Sequence, residues 1–169
     1  MSALGSAELF FRVRSFIARE TRLLQEGRFE EWLQLFTPDA RYWMPIATVA
    51  ETRAGVESGP SDLALFDENV ETLTLRVRRL RSRTAWTEIP PSRLRYFVDP
   101  YSVEPVDAGR VKVMSNLLVR QCRLHREDNL FTGYREDLWQ EADGGYAIAE
   151  RRVVLDEAVI QAKNMTLFF

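Results

Sequence analysis

The stretch "VKVMSNLLVRQCRLHREDNLFTGYREDLWQEADGGYAIAERRVVL", Val111 to Leu155, decides the fold. It holds three long strand-like runs: "VKVMSNLLVRQCRLH", "LFTGYREDLWQ", and a third that continues as "GYAIAERRVVLDEAVI". Apolar and polar side chains alternate along them, and a period of two places one set on each face of a sheet. The joints "REDN" and "EADGG" carry the polar and glycine residues of hairpin turns. Each run exceeds the usual strand of about 5–6 residues, so the sheet is predicted to be strongly curved or bulged.

Upstream, "RLRYFV" and "PYSVEP" lead to a turn at "DAGR" and add to the same meander. Before them the period changes. Leu9, Val13, Phe16, Ile17, Leu23 and Leu24 recur near helical spacing, with Ser6 as N-cap and Gly27 as the stop. Phe29, Trp32, Leu33 and Phe36 fall at i, i+3, i+4 and i+7 and predict a short second helix, broken by "TPD" at Thr37 to Asp39. "ARYWMPI", residues 40–46, alternates as a strand with two occupied faces, and Pro45 marks its edge or end. Residues 47–62, small, polar and rich in Gly and Pro, read as an exposed loop. Asp67 or Asn69 caps a third helix whose apolar stripe is Val70, Leu73, Val77 and Leu80. Helices first and antiparallel strands afterwards make an α+β fold, expected as one domain over residues 1–169.

The composition, 46% hydrophobic and 28% charged, is that of a globular protein. No apolar run approaches the roughly 20 residues of a membrane-spanning helix, and the start lacks the pattern of a secretory signal. Cys122 is the single cysteine, which fits a reducing compartment and a cytoplasmic location. His125 is the single histidine and reads as an ordinary turn-proximal side chain. No phosphate-binding loop follows a strand, and no Ser-His-Asp or Cys-His set can be assembled. One His and one Cys supply neither a Rieske cluster nor a two-histidine ferrous site, so no cofactor or metal is expected in this chain. The carboxylate pairs Asp67–Glu68, Glu136–Asp137 and Asp156–Glu157 are adjacent in sequence. On a strand, neighbours point to opposite faces, so these acids are read as partners of the many arginines rather than as two-carboxylate catalytic sites.

The arginines are concentrated. Arg76 to Arg95 holds seven arginines against one acid, Glu88, in a chain of net charge -2. The whole sequence has 21 arginines and two lysines, Lys112 and Lys163. A net negative charge and a scarcity of lysine argue against nucleic acid. The planar guanidinium fork suits carboxylates and protein interfaces. Arg76, Arg79 and Arg83 border the buried stripe of the third helix, with Arg81 at the other flank. The stiff "EIPPS" loop follows. Subunit-interface candidates are therefore Arg76, Arg79, Arg81, Trp86, Glu88, Pro91 and Arg93, with internal ion pairing as the competing role for each arginine. The closing "NMTLFF" adds Phe168 and Phe169, which dock either on the chain's own core or on a neighbour.

In order, "FTPDARYWMP", "FDEN", "RVRRL", "AWTEIPPSR", "GYREDLW" and "RRVVLDEAVIQAKNMTLFF" make the whole chain resemble the small (β) subunit of aromatic-ring-hydroxylating dioxygenases, of the naphthalene and biphenyl dioxygenase type. The resemblance implies a nuclear-transport-factor-2-like cone, with helices packed on a curved antiparallel sheet. It implies a metal-free, mainly structural subunit with no catalytic residues of its own. Its partners would be other β subunits and a large α subunit carrying the Rieske iron–sulfur cluster and a mononuclear iron, in an α3β3 assembly. Electrons would come from NAD(P)H through a reductase and ferredoxin, and arenes would become cis-dihydrodiols. Two other function classes compete. One is a stand-alone isomerase or dehydratase of the same cone fold, using acid-base residues such as Tyr42, Asp67 and Arg95. The other is a non-enzymatic ligand- or protein-binding module.

Overall fold

The computed structural model describes residues 3–46, 63–81, 89–124, 127–157 and 160–169, with side chains from residue 7 onward. Helix α1 spans Ala3–Gln25 and α2 spans Phe29–Leu33. Strands β1 (Phe36–Pro45) and β2 (Ala64–Asn69) precede α3 (Val70–Leu80). The meander is β3 (Arg93–Asp107), β4 (Arg110–Arg123), β5 (Glu127–Ala142) and β6 (Gly145–Leu155). Among the described residues these strands form one sheet in the order β2-β1-β6-β5-β4-β3. Every neighbouring pair is antiparallel except β1 with β6.

The four meander strands are 11–16 residues long, and bulges bend them as their length demands. The register shifts at Pro100/Ser102 and Pro105/Asp107 between β3 and β4, and at Leu138/Trp139 between β5 and β6. Gly133 sits where β5 and β6 approach most closely. A Cβ there would lie 2.1 Å from the Val154 carbonyl oxygen, so only glycine fits. The curved sheet wraps its inner face around the helices. Val13, Phe16, Ile17, Leu23 and Leu24 of α1, Trp32 of α2 and Leu73 and Val77 of α3 meet Tyr96, Val113, Val119, Phe131, Trp139, Ile148 and Val153 of the strands in one core.

Local chemistry explains the helix ends. Gly27 takes φ +68. Its N–H donates to the Leu24 carbonyl (3.2 Å) and the Arg28 N–H to the Leu23 carbonyl (2.9 Å), the paired closure that glycine after a helix permits. At α3, Asn69 rather than Asp67 is the cap. The Thr72 N–H donates to Asn69 Oδ1 (2.9 Å), and the Asn69 N–H donates to Thr72 Oγ1 (3.0 Å). Asn69→Ala is expected to cost about 1 kcal/mol of stability, read as a lower urea midpoint at unchanged slope.

Four boundaries differ from the sequence reading. Helix α1 starts at Ala3, so Ser6 lies inside it and does not cap it. "TPD" does not end a helix at Phe36; it lies within β1. The β1–β6 pairing is interrupted between Phe36 and Arg41, where Pro38 provides no N–H. Strand β2 was not anticipated, because its six residues run directly into the α3 cap. Finally, β6 stops at Leu155, and residues 160–169 turn back irregularly into the core, ending with Leu167, Phe168 and Phe169 buried. The loop placed at 47–62 and His125 lie outside the described residues.

Candidate functional site

The interior of the cone is the natural place to look for chemistry, and this chain fills it. Four charged side chains lie there with essentially no exposure: Glu20 from α1, Arg135 and Asp137 from β5, and Arg151 from β6. Arg151 Nε and Nη2 donate to Asp137 Oδ1 (2.8 Å) and Oδ2 (2.9 Å) as a two-pronged pair. The same guanidinium bonds both Glu20 oxygens, and Arg135 Nη2 adds a third contact to Glu20 at 2.8 Å. Trp32 Nε1 donates to Glu20 Oε1 (3.1 Å). Burial by itself would raise the Glu20 carboxyl, but Arg135 and Arg151 overcome it and hold the group at about 2. Glu20 is thus an ionised structural partner, and a poor acid or base near neutral pH.

Two tyrosines finish the interior. Tyr42 Oη accepts from the Phe169 N–H (2.9 Å) and lies 3.3 Å from Phe169 O, while Tyr96 Oη donates to the Phe168 carbonyl (2.5 Å). Burial raises both phenols, so both stay neutral hydrogen-bonding groups. Phe168 lies against Trp32 and Phe29, and Phe169 meets Phe131 edge-on at 5.4 Å. The tail is therefore held through backbone polar atoms as well as rings. At the mouth, a cavity of about 290 Å³ is lined by Leu24, Phe29, Leu80, Pro91, Gln121 and Leu167 among others. The carboxylate on its rim, Glu26, is exposed and paired with Arg28 at 3.0 Å.

The three residues considered for a stand-alone acid-base site do not converge. Tyr42 is buried under the tail. Asp67 lies on exposed β2, where a two-pronged bond from Arg41 (2.8 and 2.9 Å) lowers its carboxyl below the ordinary value. Arg95 points outward from β3. No group of three or more His, Cys, Asp or Glu side chains placed to hold a metal occurs among the described residues. Cys122 instead donates to Asp128 Oδ1 (3.4 Å), beside Arg120. The donor set of this chain does not fit a Rieske cluster or a mononuclear iron.

The interface candidates separate by environment. Arg76 turns inward. It pairs with Glu68, donates to the Leu167 carbonyl (3.2 Å), and stacks over Phe66 (4.0 Å) and Phe168 (4.6 Å). It clamps the tail instead of facing a partner. Arg81 pairs with Glu30 of α2 at the surface. Arg79 and Arg93 are exposed, with no carboxylate partner among the described residues. Pro91 is exposed on a loop that Arg123 pins by donating to the Ile89 (3.1 Å) and Pro90 (3.0 Å) carbonyls. Trp86 and Glu88 lie outside the described residues. Phe168 and Phe169 take the first of their two placements, on the chain's own core, each 0% exposed.

These features place the chain among known proteins. The family model described as "Ring hydroxylating beta subunit" matches residues 19–162. The chain belongs to the ring-hydroxylating β-subunit family. The benzene 1,2-dioxygenase subunit β of Pseudomonas putida is 34% identical over 167 residues, spanning 96% of this chain and 89% of that protein. The biphenyl 2,3-dioxygenase subunit β of Rhodococcus jostii is 32% identical over 162 residues, 93% of this chain and 87% of that one. The fold is that of a solved naphthalene 1,2-dioxygenase with indole bound in its active site, at a TM-score of 0.83 and 20% identity, covering 96% of this chain and 86% of the other. The α+β cone expected from the sequence is thus the fold of this β subunit.

The residues that sequence reasoning missed are the interior ones. Glu20 interrupts the stripe Val13, Phe16, Ile17, Leu23, Leu24 at the very position that faces the core. An acid inside an apolar stripe was the available signal.

Proposed function

We propose that this β subunit is a non-catalytic structural subunit of a multicomponent aromatic-ring dioxygenase. It holds and shapes a large α subunit that carries the Rieske cluster and the mononuclear iron, in an α3β3 complex supplied with electrons from NAD(P)H through a reductase and ferredoxin. The complex adds both atoms of dioxygen to an arene to give a cis-dihydrodiol. The observation that carries the reading is the closed interior. The space in which cone-fold enzymes place an acid or base is occupied here by the chain's own tail over a fully paired ionic cluster. Free surface arginines, Arg79 and Arg93, and the pinned loop at Pro91 are offered for contact with other subunits. Arginine at such positions is characteristic of interface hot spots.

No helix of the described residues is long and apolar enough to cross a membrane. We place the complex in the cytoplasm, with neither nucleic acid nor membrane as a partner. Co-expression with a large α subunit tests the proposal. The two chains are expected to co-purify at equal stoichiometry with the mass of three copies of each, and Arg79→Ala and Arg93→Ala are expected to weaken that complex. A large subunit that elutes and turns over arenes without this chain overturns it.

A further inference from the structure

Strand β3 is an edge of the sheet, and its outer face has two unlike halves. The first half presents Arg93, Arg95 and Phe97. The second presents Asp99, Ser102 and Glu104, joined by Tyr101 at the bulge and by Val106. Phe97 is 64%, Tyr101 52% and Val106 53% exposed, a line of large apolar side chains that marks a contact surface. The cations are not satisfied within the chain. Arg93 and Arg95 have no carboxylate partner among the described residues. Arg95 also stands directly opposite Arg120 on β4, a like-charge juxtaposition that costs stability, and Arg120 is itself held by Asp128 (2.8 and 3.0 Å). The acids of the second half have only light engagements. Asp99 meets exposed Arg14 (3.1 Å), and Glu104 accepts from the Ser102 hydroxyl (2.7 Å). Pro100 and Pro105 remove N–H donors from this edge, so a partner is engaged through the side-chain face and not by adding a strand.

We propose that the outer face of β3 docks a second copy of this chain, with Arg93 and Arg95 of one copy against Asp99 and Glu104 of the other and Phe97 and Tyr101 in the seam. The occupant follows from complementarity: one face carries both the unpaired cations and the acids that match them, so two copies satisfy each other. The unlike halves allow a head-to-tail contact that closes into a ring. The inference rests on the assembly proposed above for the number of copies, and on the charges of β3 for the contact itself.

Sedimentation velocity of the full chain alone, from about 1 to about 100 µM and at low and high salt, is the test. Wild type is expected to self-associate, less so in high salt. Arg95→Glu and Glu104→Arg are each expected to raise the dissociation constant by about tenfold or more, and the double reversal to recover most of it. All of these positions are exposed, and thermal melting checks that each variant is folded. A wild-type chain that stays monomeric throughout, single reversals that associate like wild type, or a double reversal no better than the singles overturns the proposal. If the chain alone is monomeric and Arg95→Glu abolishes binding of the large subunit, the face belongs to that subunit. If self-association fails while the large subunit still binds every variant, the functional proposal stands without this contact.

Discussion

Glu20→Gln is expected to lower the unfolding free energy by about 3–5 kcal/mol, because it leaves the buried Arg135 and Arg151 short of their shared counter-charge. The amide keeps the shape of the side chain and removes the charge, so the loss reports electrostatics more than packing. Both guanidinia are fully enclosed, and water cannot compensate them without opening the core. The pH dependence supplies a second reading. Glu20 lies at about 2 in the folded chain against an ordinary 4.5. A group depressed by folding contributes stability that is present above its unfolded value and is lost as pH falls through its folded one. Wild type should therefore lose roughly 3 kcal/mol from this group between about pH 4.5 and pH 2. The Gln variant should lack that component. Urea titrations at several pH values check both statements, and equal slopes of stability against pH in the two proteins would refute the assignment.

Phe169→Ala carries the other large effect. The ring is wholly enclosed and meets Phe131 edge-on, and its residue also supplies the backbone N–H to Tyr42 and the oxygen that Arg151 reaches at 3.1 Å. Removing a buried phenylalanine ring costs about 3–5 kcal/mol, which for a chain of this size lowers the melting temperature by about 10 °C. The exposed Phe11, at 72% accessibility, is the internal control, and its replacement by Ala should leave melting essentially unchanged. If Phe169→Ala melts like wild type, the tail does not close the cone.

Where the sequence was readable, a period made it so. The alternation of β4, β5 and β6 gave their faces correctly, including the split of the adjacent acids: Asp137 faces inward to Arg151, and Glu136 faces outward to Arg152 (3.2 Å). The stripe of α3 was readable for the same reason, with Leu73 and Val77 buried and Val70 and Leu80 packed beside them. Proline misled once. Pro38 was read as a helix end, whereas it sits at an irregularity where β1 has no pairing to lose. Charge was the least readable feature. Arg76, Arg79 and Arg81 belong to one helical turn and its flank, yet one clamps the tail, one is free and one pairs with Glu30. Composition cannot distinguish these, because the direction of each guanidinium depends on where Glu68, Glu30 and the returning tail arrive from distant parts of the chain. The interior cluster was hidden for a similar reason. Its four members are 14–131 residues apart in sequence, and only the folded sheet brings them together.

A chain whose interior is closed works through its outer surface and through the companion it supports. The most direct measurement is iron content and arene oxidation for the purified chain alone and for the chain recombined with its large subunit. The account predicts no bound iron and no turnover in the first sample, and iron with dihydrodiol formation only in the second. Stoichiometric iron, or any oxygenated product, from the isolated chain would contradict it.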